Sequence, residues 1–217
     1  MSGLRERQKS RRANAILDAA QILFRGQSLD AVSVEAIAGR AEVSPVTVYN
    51  YFGSRDGLIH ALGVRHHKLV EKARRSLLED PPADPILAMD RYIDMTFDQA
   101  LDVMDRPAWR QITAVNMAPG VADDMRVDLD GMVRRQVEKL VGRLIARDAL
   151  RDGEKKGDLA EMVWAVIDFH FYRMIKDARL TPAKAKAKAK RQLAILIRPH
   201  LAGESSAGKS EPESKPA

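Results

Sequence analysis

No cysteine occurs in the 217 residues, which excludes disulfides, thiolate metal sites and a cysteine nucleophile, and fits a reducing, cytoplasmic compartment. No apolar run approaches the ~20 residues that a membrane span needs, and the polar N-terminus does not read as a signal peptide. A glycine-rich phosphate loop is missing, and no nucleophile has an obvious base beside it. The five histidines, His60, His66, His67, His170 and His200, do not fall at metal-binding spacing. His66 and His67 are neighbours on a helix and face about 100° apart, which disfavours a shared ion. Strand-like alternation competes nowhere with helical periodicity. These absences predict an all-α protein that is no enzyme and carries no cofactor and no metal.

What is present is ordinary for a soluble chain: 45% hydrophobic and 30% charged residues. The net charge of +6 and pI of about 9.6 favour a polyanionic partner. The excess is uneven, because Arg5, Arg7, Lys9, Arg11 and Arg12 crowd the N-terminus. Residues 1–10 therefore read as a flexible basic arm, lying along a nucleic acid or simply solvated.

The segment from Ser33 to Leu58 carries the most information. Ser33 is a good N-cap, and Val34, Ile37, Ala38 and Ala41 recur at helical spacing behind it. Ser44 caps a second short helix with Pro45 at its first position, where the missing N–H costs nothing, and Val48 and Phe52 point inward one turn apart. Gly53 ends that helix and Ser54 caps a third. Two helices joined by so short a turn make a helix-turn-helix, whose second helix enters the major groove of DNA. Val46, Thr47, Tyr49, Asn50 and Tyr51 are left on or near its outside. Thr47 and Asn50 can hydrogen-bond base edges, Val46 can touch a thymine methyl, and the tyrosine hydroxyls can reach phosphates. Arg55, opening the next helix, can hold another phosphate. The competing reading makes Tyr49, Tyr51 and Phe52 plain core aromatics.

Residues 12–58 resemble the N-terminal DNA-binding domain of the TetR (tetracycline-repressor-like) family of bacterial transcription regulators. The likeness rests on Ile16, Ala19, Ala20, Leu23 and Phe24 on a first helix. It continues through Ser33, Val34, Ile37, Ala38, Ala41, Val43, Ser44, Val48, Tyr49, Tyr51, Phe52, Ser54, Arg55 and Leu58. Three positions depart from the pattern: Glu42 stands where the family usually has glycine, Val46 where a small residue is common, and Arg55 where lysine is usual. The resemblance implies that Ser33, Tyr49, Tyr51 and Arg55 hold phosphates of an operator while Val46, Thr47 and Asn50 face bases. It also implies a homodimer. A two-fold dimer of such units expects a pseudo-palindromic site.

Helical periodicity continues to the end of the chain. A first helix from about Arg11 to Arg25 has Gly26 as its stop, and a long fourth helix runs from Ser54 to about Glu79, where Asp80, Pro81 and Pro82 end it. Apolar rows follow: Ile86, Met89, Ile93 and Phe97; then Trp109, Ile112 and Val115; then Met125, Leu129, Met132, Val133, Val137, Leu140, Leu144 and Ile145. Pro107, Pro119 with Gly120, and Gly153 with Gly157 punctuate these rows, and Asp158 with Glu161 suggests a capping box. The boundaries expected are 11–57 for the DNA-binding domain, 58–202 for a helical effector-binding and dimerisation domain, and 203–217 for a disordered tail rich in Ser, Gly, Pro, Glu and Lys.

The helix from Asp158 to about Ala178 is apolar over nearly its whole circumference, so one core alone cannot bury it. A second subunit is the expected cover, with Leu193, Ile195, Leu196 and Ile197 of a last helix, Thr181 to Leu201, as partners. Asp168 and His170 within it serve either a pocket or this interface. Candidate pocket residues are Met89, Phe97, Trp109, Met117, Met125, Trp164, Asp168, Phe169 and Tyr172, suiting a small apolar or amphipathic ligand. The run AKAKAKAK (residues 183–190) reads as a solvated outer helix, with Lys184 and Lys188 repelling one another. The function expected is a DNA-binding repressor released from its operator by a small molecule. The alternative is a regulator of the same fold controlled by a protein partner.

Overall fold

The computed structural model describes residues 2–24, 31–117, 129–151 and 157–202. Among these residues every regular element is helical: α1 (Ser2–Phe24), α2 (Val34–Arg40), α3 (Pro45–Phe52), α4 (Arg55–Glu79), α5 (Pro85–Val103), α6 (Arg106–Met117), α7 (Leu129–Ala146), α8 (Asp158–Lys176) and α9 (Pro182–Ile197). One 3-10 turn, Arg198–His200, follows α9, and a single bridge joins Leu150 to Leu201. The fold is all-α.

Caps set most of these boundaries. Ser33 Oγ accepts from Ala36 N at 3.1 Å, Ser44 Oγ from Thr47 N at 3.2 Å and Ser54 Oγ from Gly57 N at 3.0 Å, each satisfying an orphan donor of a first turn. Asp84 does the same for α5, with its Oδ1 2.8 Å from Ile86 N, and Thr181 for α9. Between α2 and α3 the chain turns on Glu42 in the left-handed region, φ 56°. Val43 N then donates to Ala38 O at 3.0 Å and Glu42 N to Gly39 O at 3.2 Å, a Schellman closure.

The first three helices and the start of α4 enclose a small core of Ile16, Ala20, Phe24, Ile37, Val48, Phe52 and Leu58, all buried. Each large side chain there contributes on the order of 2 kcal/mol by leaving water. Helix α4 then runs out of this unit and packs against α5, α6 and α7. Helix α8 lies on α6, α7 and α9, while α9 closes the bundle on α5. Arg106 and Arg110 of α6 hold the end of α8: Arg110 Nη1 donates to Ile175 O at 2.8 Å, and Arg106 Nη1 to Asp177 O at 3.3 Å.

Several expectations need correction. Helix α1 begins at Ser2 instead of near Arg11, so the basic stretch is helical; Leu, Arg, Glu, Gln and Lys are good helix formers, and the stretch stays exposed. The expected stop at Gly26 lies outside the described residues, as do Met125, Pro119, Gly120, Gly153 and the tail 203–217. No capping box opens α8: its N-cap is Gly157, left-handed at φ 95°, and Asp158 and Glu161 lie in the first turn, where negative charge suits the helix dipole. Helix α9 stops at Ile197, before Pro199, whose missing N–H cannot continue it. Leu193 and Ile197 are buried within the protomer because α9 turns that side toward α5 and α8, which leaves Ile195 exposed.

The alternating Ala-Lys run is only half solvated. With 3.6 residues per turn, Ala185 and Ala189 fall on the buried side. Lys186 and Lys190 fall beside α5, where Lys186 Nζ lies 2.8 Å from Asp98 Oδ1 and Lys190 Nζ 2.7 Å from Asp94 Oδ2. Lys184 and Lys188 remain exposed. Asp94 is held below the ordinary carboxylate range: burial opposes this, but the Lys190 and Lys186 ammonium groups outweigh it.

Candidate functional site

Helix α3 has two unlike sides. Val48 and Phe52 are buried, whereas Val46 is 66% and Tyr49 44% exposed, and Asn50 is exposed beside them. Tyr51 is half-buried, packed on the core with its ring centroid 6.3 Å from that of Phe52. Of the three adjacent aromatics, then, one is core, one is shared and one is free to meet a partner. Thr47 is less available than its position suggests, since its Oγ1 lies 2.9 Å from Ser44 Oγ and belongs to the cap. Ser33 is exposed at the start of α2, and Arg55 is half-buried at the first position of α4. Of the residues expected to face bases and phosphates, Ser33, Val46, Tyr49 and Asn50 are thus exposed and Thr47, Tyr51 and Arg55 half-buried. An exposed Val, Tyr and Asn on a Pro-started helix, behind a tight turn, define the unit as a helix-turn-helix of the DNA-binding kind.

A second site lies in the bundle. A cavity of about 550 Å³ opens between α4, α5, α6, α7 and α8, within the range of small-molecule sites. Trp109, Trp164, Asp168, Phe169 and Tyr172 line it, as expected of them, but Met89 and Phe97 do not: both are sealed in the core, because the α5 face carrying them turns to the interior. Of the other methionines, Met117 is the last residue of α6, and its side chain, like the whole of Met125, lies outside what the structure describes. His170 also stays off the cavity, buried between α8 and α9 with Nε2 2.7 Å from Gln192 Oε1, while exposed Asp168 stands on its rim.

Sequence reasoning missed the polar wall of this cavity, formed by His66, His67 and Arg74 of α4. The signal was there: His66 and Arg74 take positions in the stripe Ile59, Leu62, Val70, Leu77 that should be apolar. His66 packs edge-on against Trp109, and Trp109 Nε1 donates to Ala100 O at 2.9 Å. Burial first, then the neighbouring His67 and Arg74, pushes the His66 pKa down to about 3. Burial and Arg74 push that of His67 down to about 4. Both rings are therefore neutral at pH 7. Arg74 Nε donates to Gln99 Oε1 at 2.8 Å and its Nη1 to Gln136 Oε1 at 3.0 Å, with the guanidinium 5.5 Å from the Tyr92 ring centroid. All of these partners are neutral groups.

Comparison with known proteins places this architecture. Residues 16–62 match the family described as bacterial regulatory proteins, tetR family. Among solved structures, a TetR-family transcriptional regulator from Pectobacterium atrosepticum is similar over 89% of this chain and 96% of its own, at 16% identity and TM-score 0.67. NalD, the secondary repressor of the MexAB-OprM multidrug efflux pump in Pseudomonas aeruginosa, is similar over 91% of this chain and 100% of its own, at 20% identity and TM-score 0.57. The reduced form of E. coli NemR matches over 88% of this chain and 98% of its own, at 14% identity and TM-score 0.63. No curated protein sequence matches this chain. Residues 16–62 thus match the TetR-family model, on a chain whose fold is similar to that of solved TetR-family transcriptional regulators.

Proposed function

We propose that this chain is a homodimeric repressor that binds a pseudo-palindromic operator and leaves it when a small molecule fills the cavity between α4 and α8. The observation that carries the DNA reading is the split surface of α3, with Val48 and Phe52 buried beneath exposed Val46, Tyr49 and Asn50. In this reading Val46, Thr47 and Asn50 face bases, and Ser33, Tyr49, Tyr51 and Arg55 take the flanking phosphates. Arg5, Arg7, Lys9, Arg11 and Arg12, exposed along the start of α1, add a sequence-independent attraction for the duplex.

Dimerisation is supported by the outer face of α8, where Met162 and Phe169 are exposed about two turns apart on one side, with Tyr172 and, on α9, Ile195. Exposed large apolar side chains concentrated on two adjacent helices call for a cover. Because Phe169 and Tyr172 also line the cavity, a ligand there touches residues next to the paired surface. A ligand that favours one arrangement of the two protomers over the other then weakens operator binding by linkage.

Selection of bound duplexes from a random pool by the full-length protein tests the core of this reading. An inverted repeat is expected, with half-sites one helical turn or a multiple apart. Failure to enrich any duplex at low salt would refute it.

A further inference from the structure

Arg74 is among the largest fully buried side chains, 2% exposed, yet among the described residues no carboxylate pairs with it. An arginine stays charged even where burial lowers its pKa, and a buried charge without a counter-ion is costly. Its hydrogen bonds to Gln99 and Gln136 orient the guanidinium but bring no negative charge. The Tyr92 hydroxyl beside it is likewise a neutral group. Around it the cavity wall carries further buried polar atoms without a partner: His66 Nδ1, His67 Nδ1 and Trp164 Nε1. The rest of the lining is chiefly apolar and aromatic, including Trp109 and Phe171, whose rings meet edge-on 5.5 Å apart.

We propose that the cavity binds a monoanionic carboxylate carried on an apolar body, its carboxylate paired with the Arg74 guanidinium and its body lying against Trp109, Trp164 and Phe171. This rests on the effector reading above and adds the chemical class of the effector. The planar fork of arginine matches the two oxygens of a carboxylate. One buried cation balances one negative charge, because His66 and His67 are neutral and offer hydrogen bonds only.

The two tryptophans of the chain, Trp109 and Trp164, both line the cavity, so intrinsic fluorescence of the full-length protein reports its occupancy. The probes are decanoate and 2-naphthylacetate, each compared with the alcohol and the amine of the same carbon skeleton. Carboxylates are expected to bind at least tenfold more tightly than the matching alcohols, and amines more weakly still. Arg74→Met, which fills the same space without charge, should bring carboxylate and alcohol within threefold of one another, with Arg74→Lys between. Alcohols or amines binding as tightly as carboxylates to the unmodified protein would overturn the anion assignment while leaving an effector cavity in place. No binding by any probe would overturn both. If Arg74→Met fails to fold, the ranking on the unmodified protein still decides.

Discussion

The imidazole of His66 and the indole of Trp109 meet edge-on, ring centroids 4.9 Å apart at 77°, joining α4 to α6 on the cavity wall. Burial keeps this imidazole uncharged, and with His67 alongside it ties stability to pH. The folded pKa values, about 3 for His66 and about 4 for His67, lie below the ordinary 6.5. As pH falls below 6.5 the unfolded chain therefore takes up protons that the folded chain refuses. Stability present above pH 6.5 is lost progressively until the folded rings themselves protonate near pH 4 and 3. Each histidine accounts for about 1.4 kcal/mol per pH unit in that window. Urea unfolding of His67→Gln between pH 6 and 4.5 should show a slope shallower by about that amount than the parent. Superimposable slopes would show that His67 titrates normally in the folded protein.

Glu42 offers a test of local strain. Its φ of 56° places a residue with a Cβ in the left-handed region that closes the α2–α3 turn, at a typical cost of about 1–2 kcal/mol. Glycine removes that cost but returns part of it, about 0.5–1 kcal/mol, through the freedom it gives the unfolded chain. Glu42→Gly should therefore stabilise the protein by roughly 0.5 kcal/mol and leave the helix ends unchanged. A lowered melting temperature in calorimetry would show that the Glu42 side chain makes a compensating contact.

The exposed side of α3 separates recognition from stability. Tyr49→Ala and Asn50→Ala should unfold like the parent and lose operator binding, because neither side chain is core. Tyr51→Ala differs, since Tyr51 packs beside Phe52, and it should cost stability of about 1–2 kcal/mol as well as affinity. Arg55→Ala should weaken binding to all duplexes and flatten the salt dependence by about one charge. Anisotropy titrations at several salt concentrations measure these effects. A Tyr49→Ala protein that is unfolded would make that ring part of the core after all.

Local signals made the helix-turn-helix legible, and long-range ones hid the cavity. Ser33, Ser44, Pro45, Gly53 and Ser54 act within four residues of themselves, so sequence spacing is enough to place four helix ends. Arg74 meets Gln99 and Gln136 only because α4, α5 and α7 converge, and nothing local announces that meeting. Methionine content misdirected the pocket reading toward Met89, since a flexible apolar side chain fills a core as readily as it lines a cavity. The lysine run failed for another reason: periodicity separates Lys186 and Lys190 from Lys184 and Lys188, but the aspartates awaiting the first pair lie about 90 residues earlier.

Those aspartates allow a measured comparison. Lys190 Nζ and Asp94 Oδ2 are 2.7 Å apart but partly exposed, 27% and 43%, and such pairs contribute about 0.5 kcal/mol. A double-mutant cycle with Lys190→Ala and Asp94→Ala should return a coupling of that size, falling in high salt. A coupling near zero would leave the α5–α9 contact resting on apolar packing alone.

The step from cavity to operator runs through consecutive residues of α4. His66 faces the cavity, while Arg65, one position earlier, reaches back to α1 and makes an ion pair with Asp18. Its guanidinium also donates to Gln21 Oε1 at 3.4 Å and to Asn14 O at 3.4 Å. Helix α1 packs on α2, so a displacement of α4 at the cavity wall moves the frame on which α3 sits. Coupling between two ligands on one protein is typically about 5–150-fold in affinity. Arg65→Ala removes the grip on α1 without touching the cavity lining or the exposed side of α3. It should leave operator affinity without ligand, and ligand affinity without operator, within about threefold of the parent, because exposed ion pairs contribute little. What it should lose is the effect of one on the other. Operator titrations with and without the tightest carboxylate probe would then show a ratio at least threefold nearer to unity than in the parent. Linkage demands the same reduction when probe affinity is measured with and without operator. An unchanged ratio in both directions would assign the transmission to other contacts of α4.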